Sequence, residues 1–320
     1  MQALGDSTVR SDAIWTDTTQ AMKFTYPLIA ATLAVITVTA AGPALANGTD
    51  CPQHFAGGQP PQIVNAKFKP RTQELCFEAF AVLHSGISRT PLYTAERLTR
   101  KNLEAAKALS RKDSFHAEDR LPERDRAELS DYARSGYDRG HMAPNANMPT
   151  RKAQAESFSL ANMVPQIHEN NAGVWAGIEA AARELARDEG ELYVISGPAF
   201  IGKDIQQIGR VLVPTHVWKV LYSPKQQRAG AYLVTNDKTK EYAVLSIAEL
   251  QKLAGIDALP DLPAQAREQA MSLPKPQGNR GGGGGSSKKT EPQQQPQEDE
   301  FTLRDASRLL LNLLQGVLGK

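Results

Sequence analysis

Few single features of this chain settle its class. It holds only two cysteines, Cys51 and Cys76, in 320 residues. That excludes a disulfide-dense scaffold and leaves room for one bridge. Neither sign of charge dominates: 37 Lys and Arg stand against 35 Asp and Glu, for a formal charge of +2 and a sequence pI near 8.4. So weak a balance permits a polyanionic partner and selects none. No period recurs along the chain, which excludes solenoids and propellers. His168-Glu169 has no second histidine at helical spacing, so a helical zinc-hydrolase motif is incomplete. The apolar run from about residue 28 to 41 is short for a membrane span, which needs about 20 residues.

What is present fits a soluble globular protein with a real core, at 41% hydrophobic and 22% charged residues. Met22-Lys23 precedes the apolar run and Pro43-Ala44-Leu45-Ala46 follows it. A short positive start, an apolar middle and a small-x-small end predict a signal peptide over 22–46. Residues 1–21 then read as a non-native upstream extension, and the expected location is periplasmic or secreted. In an oxidising compartment Cys51 and Cys76 are expected to pair. Closing a loop of that length stabilises a domain by roughly 3 kcal/mol on the chain-entropy argument. Residues 274–300 carry a glycine run at 281–285 and a Gln/Pro/Glu-rich stretch, which predicts a flexible linker. Residues 301–320 regain helical periodicity, with Leu303, Ala306, Leu310, Leu313, Leu314 and Val317 on one face. An amphipathic helix this short is marginal alone. It is expected to dock on its own domain, on a second copy in a homodimer, or on a membrane surface; the sequence does not name that partner.

Between these ends, residues 47–273 read as one α+β domain with a central mixed or antiparallel sheet. Residues 75–84 and 91–98 read as strands joined by a hairpin through 85–90. Residues 100–127 are charged and read as surface loops with short helical pieces. Strands are expected at 191–197, 210–222 and 230–236, and a helix over 246–254 that Gly255 ends. Asn170 or Asn171 offers an N-cap for a helix over 174–185, with Ile178 and Leu185 inward.

Two clusters carry chemistry. Residues 136–141 read Gly-Tyr-Asp-Arg-Gly-His, and Pro144 keeps His141 on a short strand or at its end. Asn171, Trp175, Glu179 and Arg183 follow at intervals of four. At about 100° and 1.5 Å per residue they form a slowly drifting stripe on one helix. A neutral amide oxygen plus waters suits Mg²⁺, and a carboxylate two turns on can hold one of those waters. Histidine can take a proton from an attacking water near neutral pH, and arginine can meet a phosphate with its planar fork. Taken singly, each residue has a structural reading: a capping amide, a core indole, an ordinary i,i+4 ion pair worth a few tenths of a kcal/mol, a scaffold histidine.

Three segments together resemble a known family. Residues 137–142 (Tyr-Asp-Arg-Gly-His-Met), 160–166 (Leu-Ala-Asn-Met-Val-Pro-Gln) and Asn171-x-Gly173-x-Trp175-x-x-Ile178-Glu179-x-x-x-Arg183 occur in the order and spacing of the DNA/RNA non-specific endonucleases. These are the Serratia-nuclease and endonuclease-G-like enzymes with a ββα-metal, or His-Me, finger. The resemblance covers about residues 76–263 and excludes both ends. It implies a Mg²⁺-dependent hydrolase, Mn²⁺ being able to substitute, that cleaves DNA and RNA to 5′-phosphate products. It implies His141 as general base, Asn171 as the protein ligand of the metal, and Glu179 as the carboxylate holding a water of the ion. Arg183 stands beside the phosphate, Arg139 shapes the site or meets phosphate, and Asp138 and Asn162 support it. The family also has an arginine upstream of the histidine, for which Arg111 is the candidate and Arg120 the competitor. Ala161 stands where many members have serine, and the doubled Asn170-Asn171 leaves two amides for one metal position. An inactive relative that only binds nucleic acid, a zinc-dependent hydrolase and an interaction module built on the C-terminal helix are the rival readings.

Overall fold

A computed structural model of the chain describes residues 48–277. The expected extension (1–21), signal peptide (22–46) and C-terminal helix (301–320) lie outside those residues, as does the linker beyond 277.

Short 3-10 turns carry the chain past β1 (Gln62–Ile63) into a meander of β2 (Thr72–Cys76), β3 (Phe80–Ser85) and β4 (Thr90–Thr99), then α1 (Arg100–Lys107). A long irregular passage holds one turn, α2 (Leu129–Tyr132), before β5 (Asp138–His141), α3 (Arg151–Ser157) and β6 (Met163–Gln166). A π-helical turn, Asn170–Trp175, opens α4 (Ala176–Glu189). Next come β7 (Glu191–Ala199), β8 (Gln207–Ile208), β9 (Val211–Leu212), β10 (His216–Ser223), β11 (Arg228–Thr235) and β12 (Tyr242–Leu245). The described chain closes with α5 (Ile247–Ala254), β13 (Ile256–Asp257) and α6 (Ala264–Glu268).

The central sheet runs β12-β11-β10-β7-β4-β3-β2, and every neighbouring pair is antiparallel. Of the two sheet types expected, it is therefore the antiparallel one. β7 and β10 lie inside it and are buried along nearly their whole length, which is why they read as apolar runs rather than strict alternation. One face packs Tyr93, Ile195, Trp218, Val220 and Leu233 against α5. The other packs Leu98, Val194, Val217, Leu221 and Tyr232 against Trp175, Ile178, Ala182 and Ala186 of the α4 region. That second layer carries the candidate site.

The hairpin expected through 85–90 is present, with Ser85 opposite Thr90. Ser246 and Glu249 form a capping box on α5, and Gly255 ends it at φ 68°, a left-handed geometry that glycine adopts without steric cost. Two expected strands are each broken. The run 75–84 splits at 77–79, where Phe77 N–H donates to the Phe80 carbonyl at 2.9 Å and the two rings stack at 4.4 Å. Cys76 is held to Cys51 by a disulfide at that corner, so the expected pairing is present. The run 210–222 splits around Pro214, which has no N–H for a ladder. The folded body also outruns its expected end at 273: Tyr232 Oη donates to the Pro274 carbonyl at 2.5 Å. A Cβ on Gly177 would meet the Gln277 carbonyl at 2.8 Å.

Candidate active site

β5 and β6 form a two-stranded ribbon in which His141, the last residue of β5, pairs with Met163. Asn162, fully buried, clamps the chain beyond the histidine. Its Oδ1 accepts from Ala143 N–H at 2.9 Å, and its Nδ2 donates to the Ala143 and Ser157 carbonyls, both at 2.8 Å. Trp175 Nε1 donates to the His141 carbonyl at 3.1 Å, so the indole is both core and brace. Gly140 is required here, since a Cβ would come within 2.0 Å of Gln166 Oε1.

His141 is 8% exposed, and its ring sits 5.0 Å from Phe158 and 5.8 Å from Phe115. Burial, aided by the charge of Arg111 and opposed by Asp113, pushes its pKa down to about 3. The imidazole is therefore neutral at physiological pH. Its Nε2 is buried and has no hydrogen-bond partner among the described residues, an arrangement that normally costs stability and calls for an external partner.

The two competing arginines are held differently, Arg111 Nε donating to Asp113 Oδ1 at 2.5 Å. Arg120 is spent on structure: Nε donates to Glu118 at 2.7 Å, Nη1 to the Cys76 carbonyl at 2.9 Å, and the guanidinium lies over Phe77 at 4.3 Å. Arg111 lies over Phe158, 5.4 Å from its centroid, and its charge acts on both His141 and Glu179. Arg139 stacks on Phe115 at 4.4 Å. Arg111 and Arg183, with Asn145, Gln154 and Arg187, line an open groove of about 390 Å³.

The regular helical stripe expected through Asn171, Trp175, Glu179 and Arg183 is not formed as such. Asn171 lies in the π-helical turn, and Gly173, at φ −101° and ψ −107°, breaks the helix between it and Trp175. Glycine tolerates such a conformation because it has no Cβ. Neither asparagine acts as an N-cap. Asn170 is fully buried, takes a hydrogen bond from Gln166 Nε2 and donates to the Thr235 carbonyl at 2.6 Å. Asn171 is half-buried, and its Nδ2 donates to Asp138 Oδ2 at 3.0 Å. The doubled amide is thus divided into one scaffold residue and one facing the β5 edge. Asp138, expected to support the site, orients Asn171 and also meets His168 Nδ1 at 2.8 Å.

Glu179 and Arg183, both half-buried, meet three buried residues not singled out in the sequence to form a polar layer at the groove. Arg183 Nη1 donates to Asn147 Oδ1 at 3.3 Å, and Asn147 Nδ2 donates to Glu96 Oε2 at 2.9 Å. Lys219, 1% exposed, donates to the Met142 carbonyl at 3.2 Å and to Ser196 Oγ at 2.5 Å. Burial raises the Glu179 carboxyl above its ordinary range, against the charges of Lys219, Arg183 and Arg111. Burial also raises Glu96, to about 7. The available signal was a charge inside an otherwise apolar strand: Glu96 in Leu-Tyr-Thr-Ala-Glu, and Lys219 in Val-Trp-Lys-Val-Leu. The charge of Arg111 thus acts on His141 and Glu179 and that of Arg183 on Glu179, and Asn171 bonds Asp138 of the strand that ends in His141.

The donor set bears on a metal. The Asp138 carboxylate must face the Asn171 N–H₂, which leaves the amide oxygen, a hard neutral donor, turned away from it. Among the described residues, the one cluster of His, Cys and carboxylates at ligand spacing is Cys51, Glu74 and Cys76. Its thiols are consumed in the disulfide, and His168 and Glu169 pair instead with Asp138 and Lys238. Among the described residues the zinc-dependent reading finds no donor set.

The sequence profile of the DNA/RNA non-specific endonucleases matches residues 59–265. The mitochondrial nuclease EXOG of Danio rerio is 36% identical over 200 residues, covering 55% of this chain and 58% of that protein. Nuclease 1, mitochondrial, of Schizosaccharomyces pombe is 31% identical over 211 residues, covering 58% of this chain and 65% of that protein. The chain thus spans less than two thirds of the length of these two relatives. A solved structure of the EndoG/EndoGI complex superposes with a TM-score of 0.53 at 25% identity, over 62% of this chain and 91% of that one. The similar antiparallel α+β architecture places the fold among the ββα-metal nucleases. These relatives also correct the periplasmic or secreted location: both, like similar nucleases of Homo sapiens, Saccharomyces cerevisiae and Bos taurus, are named mitochondrial. The apolar leader alone does not carry that location.

Proposed function

The chain belongs to the DNA/RNA non-specific endonuclease family, and from that premise we propose that it is a Mg²⁺-dependent hydrolase of DNA and RNA phosphodiesters, leaving 5′-phosphate ends. The observation that carries this reading is the neutral, buried His141 whose Nε2 lacks a protein partner. A base must hold an unshared lone pair ready for the proton of the attacking water, and the unpartnered Nε2 of a neutral imidazole offers one. The Trp175 and Asn162 hydrogen bonds fix the backbone that carries the ring. Asp138 turns the Asn171 oxygen outward, where it would serve as the protein donor for the cation, and Glu179 would accept from one of the ion's waters. A bound Mg²⁺ supplies Lewis-acid polarisation of the phosphate and neutralises developing charge. Arg183, anchored through Asn147, and Arg111, over Phe158, offer donors along the groove to phosphate oxygens. Arg139 stacks on Phe115 and stiffens the wall beside His141.

Nothing in this arrangement asks for a 2′-hydroxyl or a base edge, and phosphate contacts position a strand without reading it. Both DNA and RNA are therefore substrates. The test is digestion of plasmid DNA and of RNA with Mg²⁺, with Mn²⁺ and with EDTA, by wild type and His141→Ala. Cleavage needs the cation, and the variant is about 10² to 10⁴-fold slower. A variant that cuts as fast as wild type would remove His141 from the chemistry.

A further inference from the structure

His168 and Glu169 follow the end of β6 and lead into the π-helical turn that carries Asn171. The backbone around them is held from the sheet side. Ile167 N–H donates to Asn236 Oδ1 at 2.9 Å, and Asn236 Nδ2 donates to the Pro165 and Pro214 carbonyls at 3.0 and 2.9 Å. The Ile167 carbonyl accepts from Asn170 N–H at 3.1 Å and from Asn171 N–H at 2.9 Å. Glu169 is tied to Lys238 at 3.1 Å. The His168 side chain thus leaves a fixed stretch of chain and crosses to the first residue of β5, where Nδ1 meets Asp138 Oδ2 at 2.8 Å. Asn171 Nδ2 reaches the same oxygen at 3.0 Å. A carboxylate oxygen only accepts, so Nδ1 carries the hydrogen. Among the described residues, these two side chains are the donors to the Asp138 carboxylate. A carboxylate held by one amide alone still exchanges it for water and for other rotamers. A second donor, from backbone fixed independently, closes off those alternatives. The His168 side chain is 71% exposed, and so exposed a contact contributes little to stability.

We propose that His168 is a positioning residue for the divalent cation: by donating to the same Asp138 oxygen as Asn171, it holds the carboxylate in the setting that turns the Asn171 amide oxygen outward. This rests on the reading of Asn171 as the protein donor for the cation. His168 acts one hydrogen bond behind Asp138, and the imidazole itself binds neither ion nor phosphate. What the role needs is a hydrogen-bond donor two bonds beyond Cβ. Asparagine supplies one, since its Nδ2 can stand where Nδ1 stands, and it brings no imidazole nitrogen. Phenylalanine keeps the bulk of the ring and offers no donor.

Two measurements on the full chain test this without relying on hydrolysis. The first is Mn²⁺ binding in the absence of nucleic acid, with free Mn²⁺ read by EPR and Mg²⁺ followed as its competitor. His168→Phe binds roughly tenfold more weakly, the low end for a group that supports a ligand from behind. His168→Asn regains most of the affinity, and both variants melt close to wild type. The second is ¹H–¹⁵N NMR of the Asn171 side-chain amide without metal. The proton donated to Asp138 lies downfield in wild type, moves upfield in His168→Phe and returns in His168→Asn. Unchanged Mn²⁺ affinity in His168→Phe, or an Asn171 amide signal that does not move, would overturn the proposal. So would an asparagine variant as weak as the phenylalanine one, the mark of a histidine that binds the ion itself. Asn171→Ala separates this proposal from the reading beneath it. If that variant binds Mn²⁺ like wild type, Asn171 is not the donor and both fall. If it loses the ion while His168→Phe keeps it, the positioning role alone fails.

Discussion

Replacing Asn162 by leucine tests the clamp behind His141. The two side chains have similar volume, so the substitution opens little cavity. It does strip partners from three groups in a fully buried place: the Ala143 N–H, the Ala143 carbonyl and the Ser157 carbonyl. An orphaned buried polar group costs about 1–3 kcal/mol. Three of them, with some relaxation, should cost about 4 kcal/mol in all. For a domain of this size each kcal/mol is worth about 2–4 °C in Tm, so the variant should melt roughly 8–16 °C lower. Urea unfolding should give a lower midpoint at unchanged slope, which marks a loss of stability rather than a change in the unfolded chain. Asn162→Asp is the companion. It keeps the acceptor for Ala143 but sets a carboxylate oxygen against two carbonyls, so its folded pKa lies above the unfolded value. Its penalty is then full at neutral pH and is relieved as pH falls through the raised folded value. A leucine variant melting within about 2 °C of wild type, or an aspartate variant indifferent to pH, would show that the three contacts are not what holds residue 143.

Other outcomes follow from neighbouring features. Arg111→Ala should slow cleavage at least tenfold and leave Tm nearly unchanged, whereas Arg120→Ala should lower Tm and spare kcat; the reverse pattern would exchange their roles. Removing the bridge with Cys51→Ala and Cys76→Ala should cost roughly 3 kcal/mol, read by calorimetry with wild type in reductant as the parallel case. Activity at 25 °C should persist, and an unchanged melt would show the loop to be constrained without the bond. His216 is buried and its pKa is pushed down to about 4 by burial, opposed by Asp237. The folded chain then carries fewer protons there than the unfolded one between about pH 6.5 and 4, so this residue makes stability fall as pH falls across that window. His216→Gln should remove about 1.4 kcal/mol per pH unit of that slope, measured as the pH dependence of the urea midpoint; an unaltered slope would refute the burial argument.

How far the residues alone revealed the site depended on the range of each signal. The Ser246 cap, the Gly255 stop and the 85–90 hairpin are encoded by neighbours in the chain, and they were legible. So was His141 at a strand end, because Gly140 and Pro144 bracket it. The helical stripe was misjudged at Gly173: four-residue spacing looks the same whether the backbone is α-helical or widened by a π turn. The different settings of Asn170 and Asn171 depend on Gln166, Thr235 and Asp138, which come together only when the ribbon meets the sheet. Lys219 and Glu96 were passed over for a similar reason. A charge in an apolar strand shows that something must answer it, and only the topology that lays α4 over β4, β7 and β10 shows what.

The missing methyl at position 140 has a consequence for anyone altering this protein by selection. Gln166 fills the space that a side chain there would need, and the nitrogen of the same amide steadies Asn170, the residue just before the outward-facing amide. A library that randomises 140 alone should return glycine. One that randomises 140 and 166 together could return larger residues at 140 opposite smaller ones at 166, with the penalty surfacing at a third place, as looser cation affinity several residues away.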